Sequence, residues 1–232
     1  MQRESHWNRV YETRQPDEVS WHQASAERSM GYIRRFCDAS GRVIDVGAGA
    51  SVLVDALLDA GYARPIALDV SSAGLEHARK RLGPRADLVE WLVGDVTGDP
   101  ALPEVALWHD RAVLHFLTQP ADQQAYARLA SRTVCPGGHA VIATFAPDGP
   151  ERCSGLPVQR HDGASVALLL GPAFELLEEQ RHVHRTPSGA DQRFCWTVLR
   201  RTSRAQAPLR RTSPPSPLSA GGEGEESGPK GR

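Results

Sequence analysis

The segment Arg42-Val43-Ile44-Asp45-Val46-Gly47-Ala48-Gly49-Ala50-Ser51 passes from a short apolar run into a turn of small residues. Continuous β-compatible side chains from Val43 to Val46, rather than an apolar/polar alternation, predict a strand buried on both faces. Gly47 and Gly49 then supply a tight turn into the apolar helical stripe Val52, Leu53, Ala56 and Leu57.

Working outward, the same strand-then-helix pattern repeats. A second strand is predicted at 65–70, with Ser71 or Ser72 capping the helix after it. A third strand is expected at 88–93 and a fourth at 105–108. A helix over 123–134 then leads through Pro136-Gly137-Gly138 into a fifth strand at 140–145. Upstream, Trp7 and Tyr11 stand four apart, as on one face of a short helix, and a second helix is expected at 25–37 with Met30, Ile33 and Phe36 inward. Downstream, a helix at 164–170 precedes two strand-like runs, 174–183 and 192–199, joined as a hairpin through Pro187-Ser188-Gly189. Strands alternating with helices imply parallel pairing and right-handed crossovers. The expected fold is therefore α/β, a doubly wound seven-stranded sheet ending in an antiparallel hairpin.

Composition bounds the function. The 232 residues carry 40% hydrophobic side chains, enough for one core, and a formal net charge of −1, which argues against a protein that neutralises many phosphates. One domain is expected over 1–201, with its helical N-terminal segment at about 1–41. The Arg/Ser/Pro/Gly/Glu-rich stretch 202–232 is expected to be a disordered tail. The N-terminus lacks the apolar core of a signal peptide and no stretch approaches a membrane span, so a cytoplasmic protein is expected. Four cysteines stand far apart without Cys-x-x-Cys spacing and read as reduced thiols; nine histidines lack partners at ligand spacing, so no metal site is expected.

In a doubly wound sheet, ligands bind outside the carboxyl ends of the strands. Gly47 and Gly49 sit at the first such end, where a missing Cβ lets a ligand approach the backbone. Asp69 ends the second strand, placed to accept two ribose hydroxyls, and Asp95 ends the third. This ordered set, with an acidic residue two positions before the first glycine in Asp45-Val46-Gly47-Ala48-Gly49, resembles the class I S-adenosylmethionine-dependent methyltransferases, over roughly 42–199. The resemblance implies a Rossmann-like fold with S-adenosyl-L-methionine as cofactor. It places Gly47 and Gly49 against the methionyl part, Asp45 at the amino group, Asp69 at the ribose, and Asp95 and Val96 around the adenine. It also implies that the aromatic segment around Trp21 serves as a lid over the cofactor. One departure is Ser51, where many members carry another small residue; Ser51 is also suited to capping the helix.

For chemistry, Trp108-His109-Asp110-Arg111-Ala112-Val113-Leu114-His115-Phe116 follows the predicted fourth strand, where that fold brings methyl and acceptor together. Asp110 is the first candidate catalytic residue, as a positioning carboxylate, and His109 and His115 are candidate bases, since imidazole titrates near neutrality. Two of these have a structural alternative: Asp110 as a cap of the next helix, with Arg111 paired to it, and His115 as a core histidine. The loop 149–157, containing Cys153, is expected to shape the acceptor pocket. The expected activity is methyl transfer to a small nucleophilic molecule, with no nucleic-acid or membrane partner. Protein lysine methylation and non-catalytic cofactor binding are the alternatives. An NAD-dependent oxidoreductase is disfavoured because Gly-x-Gly-x-x-Gly would need glycine where Val52 stands.

Overall fold

The computed structural model of the chain describes residues 2–202. Two helices, α1 (Gln2–Thr13) and α2 (Glu27–Phe36), precede the sheet. Then follow β1 (Val43–Val46), α3 (Leu53–Asp59), β2 (Ile66–Asp69), α4 (Ser72–Leu82), β3 (Glu90–Val93), β4 (Val105–Arg111), α5 (Pro120–Thr133) and β5 (Val134–Phe145). A small ribbon of β6 (Arg152–Cys153) and β7 (Leu156–Pro157) leads to α6 (Gly163–Leu170) and the long pair β8 (Phe174–Arg185) and β9 (Asp191–Arg201). The expected tail at 202–232 lies outside the described residues apart from its first position. Among the described residues no helix is long and apolar enough to cross a membrane.

The sheet has seven strands in the order β3-β2-β1-β4-β5-β9-β8. Strands β1 to β5 pair in parallel; β9 runs antiparallel between β5 and β8. The order reverses between β1 and β4, which places a crevice at their carboxyl ends. Alternation along the strands divides the core. Ile44, Val46 and Trp108 pack with Tyr126 and Leu129 of α5 and Val166 of α6. Val43, Leu107 and Val141 pack on the opposite face with Met30 and Ile33 of α2 and Leu53 and Leu57 of α3.

Local chemistry explains the boundaries. Gly47 and Gly49 have φ of +70° and +42°, and the Gly47 and Ala48 N–H groups both donate to the Leu68 carbonyl, folding the turn back over β2. Ser71 caps α4 by accepting from Gly74 N–H at 3.0 Å, and Ser51 Oγ accepts from Leu53 N–H at 3.0 Å at the start of α3. α5 begins before 123 because Pro120 suits the first helical turn, where its missing N–H is no loss. β3 starts after 88 because Gly83–Leu88, with a proline in its first turn, winds into a 3₁₀ turn.

Two further boundaries move. β5 does not wait for residue 140: Val134 already pairs with Val105, and after an irregularity pairing resumes at His139 with Leu107. More consequentially, β4 does not stop at Trp108. His109, Asp110 and Arg111 pair with Val141, Ile142 and Ala143 of β5, so these three residues belong to a strand and not to the loop after it.

Candidate active site

Two adjoining cavities open at the carboxyl ends of β1, β2 and β4, and both are lined by Tyr11, Trp21, Gly47 and Arg111. The first continues along Leu68, Asp69, Asp95 and Val96; the second reaches Ser29, Asp45, Ala48 and His109.

Asp69 sits at the end of β2. Its Oδ2 accepts the Gly49 N–H at 2.9 Å and its Oδ1 the Ser71 N–H at 2.7 Å. A carboxylate has about four acceptor sites, so these bonds aim the group and leave each oxygen able to accept again. Burial pushes Asp69 up to about 6, against the pull of the two N–H groups. Asp95 follows β3. Its Oδ1 accepts from Thr97 N–H at 2.8 Å and Thr97 Oγ1 at 2.7 Å, and its Oδ2 meets Arg3 at 3.2 Å. Burial alone would raise it, but the Thr97 hydrogen bonds and the guanidinium hold it below the ordinary carboxylate range.

Asp45 lies on β1 directly across from His109 on β4. His109 Nδ1 donates to Asp45 Oδ1 at 2.8 Å, and its Nε2 shares a 3.0 Å hydrogen bond with Ser29 Oγ of α2. The second carboxylate oxygen, Asp45 Oδ2, is buried and has no partner among the described residues. An orphaned acceptor beside a cavity suits a ligand that brings its own N–H or ammonium donor.

Because β4 runs on through Arg111, strand alternation separates the residues that the sequence grouped together. His109 and Arg111 face α2 and the cavities; Asp110 faces α5. There its carboxylate accepts from Val113 N–H at 2.9 Å, Leu114 N–H at 3.1 Å and the Tyr126 hydroxyl at 2.6 Å, and the side chain is wholly buried. Burial pushes it up to about 6, opposed by the Tyr126 hydrogen bond. Asp110 borders neither cavity and acts as the cap of the turn Leu114–Phe116. His115 is also wholly buried and borders neither cavity. Its Nδ1 accepts the Phe145 N–H at 3.3 Å, its ring packs against Phe116 and Phe145, and burial lowers it to about 3, which keeps it neutral.

The cover over the cavities comes from the N-terminal segment. Trp7 makes edge contacts with Trp21 (ring centres 5.5 Å apart) and Phe116 (5.0 Å), and Tyr11 lies 6.3 Å from Trp21. Three ties hold α1 down. Arg3 bridges Asp95 and Asp122; Asn8 accepts from Ser71 Oγ at 2.7 Å; the Tyr11 carbonyl meets His77 Nε2 at 3.0 Å. Trp21 was legible from sequence, whereas Arg3 and the covering role of Trp7 and Tyr11 were not; the four-residue spacing of those two aromatics was the available signal. Of the predicted site residues, Asp45, Gly47, Asp69, Asp95, Val96, Trp21 and His109 line the cavities. Gly49 borders neither cavity; it supports the site by donating its N–H to Asp69 and by leaving space for Tyr11, whose Oη would lie 2.1 Å from a Cβ built on it.

Residues 43–138 match the family model described as a methyltransferase domain. No curated protein matches. Among solved structures, one described with the conversion of a disulfide bond into a thioacetal group during echinomycin biosynthesis superposes with a TM-score of 0.70 at 18% identity, covering 86% of this chain and 93% of that one. The 1,6-didemethyltoxoflavin-N1-methyltransferase of Burkholderia thailandensis, with 1,6-didemethyltoxoflavin and S-adenosylhomocysteine bound, gives 0.65 at 20% identity, covering 86% and 87%. The N-methyltransferase NodS of Bradyrhizobium japonicum, with S-adenosylhomocysteine bound, gives 0.64 at 15% identity, covering 84% and 97%. Likeness at these identities is likeness of fold.

Proposed function

We propose that this chain, which carries a class I methyltransferase domain, uses S-adenosylmethionine to methylate a small nucleophilic molecule held beneath its N-terminal segment. The observation that carries this reading is the polar arrangement along the two cavities: Asp95, Asp69 and the orphaned Asp45 Oδ2 follow one another at the ends of β3, β2 and β1. Asp95 and Val96 then border the adenine, Asp69 accepts the ribose hydroxyls, and Asp45 Oδ2 accepts from the cofactor's amino group. Gly47, at φ +70°, turns the backbone along both cavities where the methionyl part would lie, and Gly49 lets Tyr11 pack down over that turn.

The cofactor, when bound, supplies a methyl group activated by a sulfonium, so no nucleophile on the protein is required. What the chain supplies is orientation and exclusion of water. His109, with both ring nitrogens engaged, holds Asp45 in place; it is a positioning residue. Asp110 holds the turn after β4, and with His115 it stands back from the acceptor. Trp7, Tyr11 and Trp21 close the site on the solvent side. This cover favours a small molecule over the exposed lysine of a folded protein, in keeping with the small ligand of the Burkholderia structure. A cytoplasmic setting accords with four cysteines that are all free thiols.

Calorimetric titration with S-adenosylmethionine and S-adenosylhomocysteine, with NAD as control, tests the reading. Saturable binding of the first two that is lost in Asp69→Ala supports it. Binding of NAD alone, or of none of the three, overturns it. Tight cofactor binding with no methyl transfer to any nucleophile in a broad acceptor screen favours a non-catalytic binding protein.

A further inference from the structure

Arg111 ends β4 and borders both cavities. One terminal nitrogen, Nη1, donates to the Trp21 carbonyl at 2.8 Å, and the guanidinium carbon stands 5.3 Å from the centre of the Phe194 ring. The other, Nη2, is buried and has no hydrogen-bond partner among the described residues. Asp45, the carboxylate whose charge reaches it, is already engaged with His109. Burial lowers Arg111 to about 10, with Asp45 acting against it, so the group stays cationic at neutral pH. A buried charged donor without an acceptor is costly, and the planar fork of a guanidinium fits planar oxyanions best.

Its surroundings place it away from the residues assigned to the cofactor's nucleoside. In the first cavity Asp69 and Asp95 stand at the ends of β2 and β3, while Arg111 stands with Trp21, Phe116 and Cys153, residues of the cover, the turn after β4 and the loop after β5. We propose that Arg111 is the anion-binding residue for the methyl acceptor, and that the acceptor carries a carboxylate or a comparable planar oxyanion. The proposal rests on the methyltransferase reading of the site. It also sets specificity: beside a guanidinium and a sulfonium, a cationic acceptor such as an ammonium side chain is repelled in a pocket of low dielectric.

The test titrates the S-adenosylhomocysteine-loaded protein with benzoate and with its neutral counterpart benzamide, an aromatic probe being suited to a cavity bordered by Trp7, Trp21 and Phe116. Wild type should bind benzoate at least tenfold more tightly than Arg111→Met, with benzamide indifferent to the substitution. Arg111→Lys, which keeps the charge, should recover part of the affinity; it also serves if the methionine variant fails to fold. Absence of benzoate binding to wild type, or equal binding to both proteins, overturns the proposal. So does a loss of S-adenosylhomocysteine affinity in Arg111→Met with 5′-methylthioadenosine affinity unchanged, because the guanidinium would then serve the cofactor's own carboxylate. If wild type binds neither nucleoside, the methyltransferase reading has failed, and the benzoate comparison without cofactor judges the anion site alone.

Discussion

Arg3 in the first turn of α1 pairs with Asp95 beyond β3, 92 positions along the chain, at 3.2 Å, and its other terminal nitrogen reaches Asp122 of α5. One side chain thereby fastens the cover at the end of the cavity where Asp95 stands.

Replacing Arg3 with Ala should release that end of α1. The group is about one-third exposed, so the loss of global stability should stay within about 1 kcal/mol. Amide exchange over 2–13 should nonetheless speed up while β1, β4 and β5 keep their protection, measured by hydrogen exchange with mass spectrometry. Unchanged exchange in α1 would show that Asn8 and Tyr11 hold the helix without Arg3.

Gly49→Ala meets two obstacles. The residue has φ of +42°, where a side chain costs about 1–2 kcal/mol. Its Cβ would also stand 2.1 Å from Tyr11 Oη and push the cover aside. Affinity for S-adenosylhomocysteine should fall more than tenfold. Tyr11→Ala in the same chain should restore part of it by removing the contact, although not the backbone cost; calorimetry on both variants separates the two causes.

Cofactor affinity should fall as pH drops through about 6, where burial has pushed Asp69, because the protonated acid loses acceptor capacity for ribose hydroxyls. The slope should approach about tenfold per pH unit below that point. Stability of the unliganded protein should move the other way. Asp69 and Asp110 both hold their protons more tightly folded than unfolded, so their contribution is full below about pH 4, the unfolded value, and is lost as pH rises through about 6. Titrations at pH 5 to 8, paired with urea denaturation over the same range, read both slopes.

Asp110→Asn should act on stability. The amide nitrogen cannot accept, so one of the three donors from Val113, Leu114 and Tyr126 is left facing another donor, at a cost of about 1–3 kcal/mol. Urea denaturation should show that loss with S-adenosylhomocysteine affinity nearly unchanged in the folded fraction. A stability equal to wild type would contradict the capping role.

The contrast between Asp69 and Asp110 shows where sequence reading reaches and where it stops. The turn through Gly47 and Gly49, the strand-end position of Asp69 and the cap at Ser71 follow from local patterns, and each stands where the pattern put it. Asp110 depended on where β4 ends, and polar letters at 109–111 hid a strand that continues because β5 supplies its partners. With a period of two, moving that boundary by three residues reassigned faces: His109 and Arg111 went toward the cavities and Asp110 toward α5. Arg3 was beyond reach for another reason, and of Tyr11 only the face shared with Trp7 was legible, since their partners Asp122, Asp95 and Gly49 are set by the packing of α1 across the sheet ends, which no local pattern encodes.

Four of the five tryptophans divide among three compartments. Trp108 is wholly buried against α5 and Trp196 is almost so against α2, on opposite faces of one sheet, whereas Trp7 and Trp21 border the cavity. Intrinsic fluorescence therefore comes from sources with different duties. A chain keeping only Trp108 or only Trp196 would show by its emission whether the two layers melt together or in succession. The cavity pair would instead brighten, dim or shift when something enters beneath the cover, giving a label-free signal for ligands whose binding releases too little heat to follow.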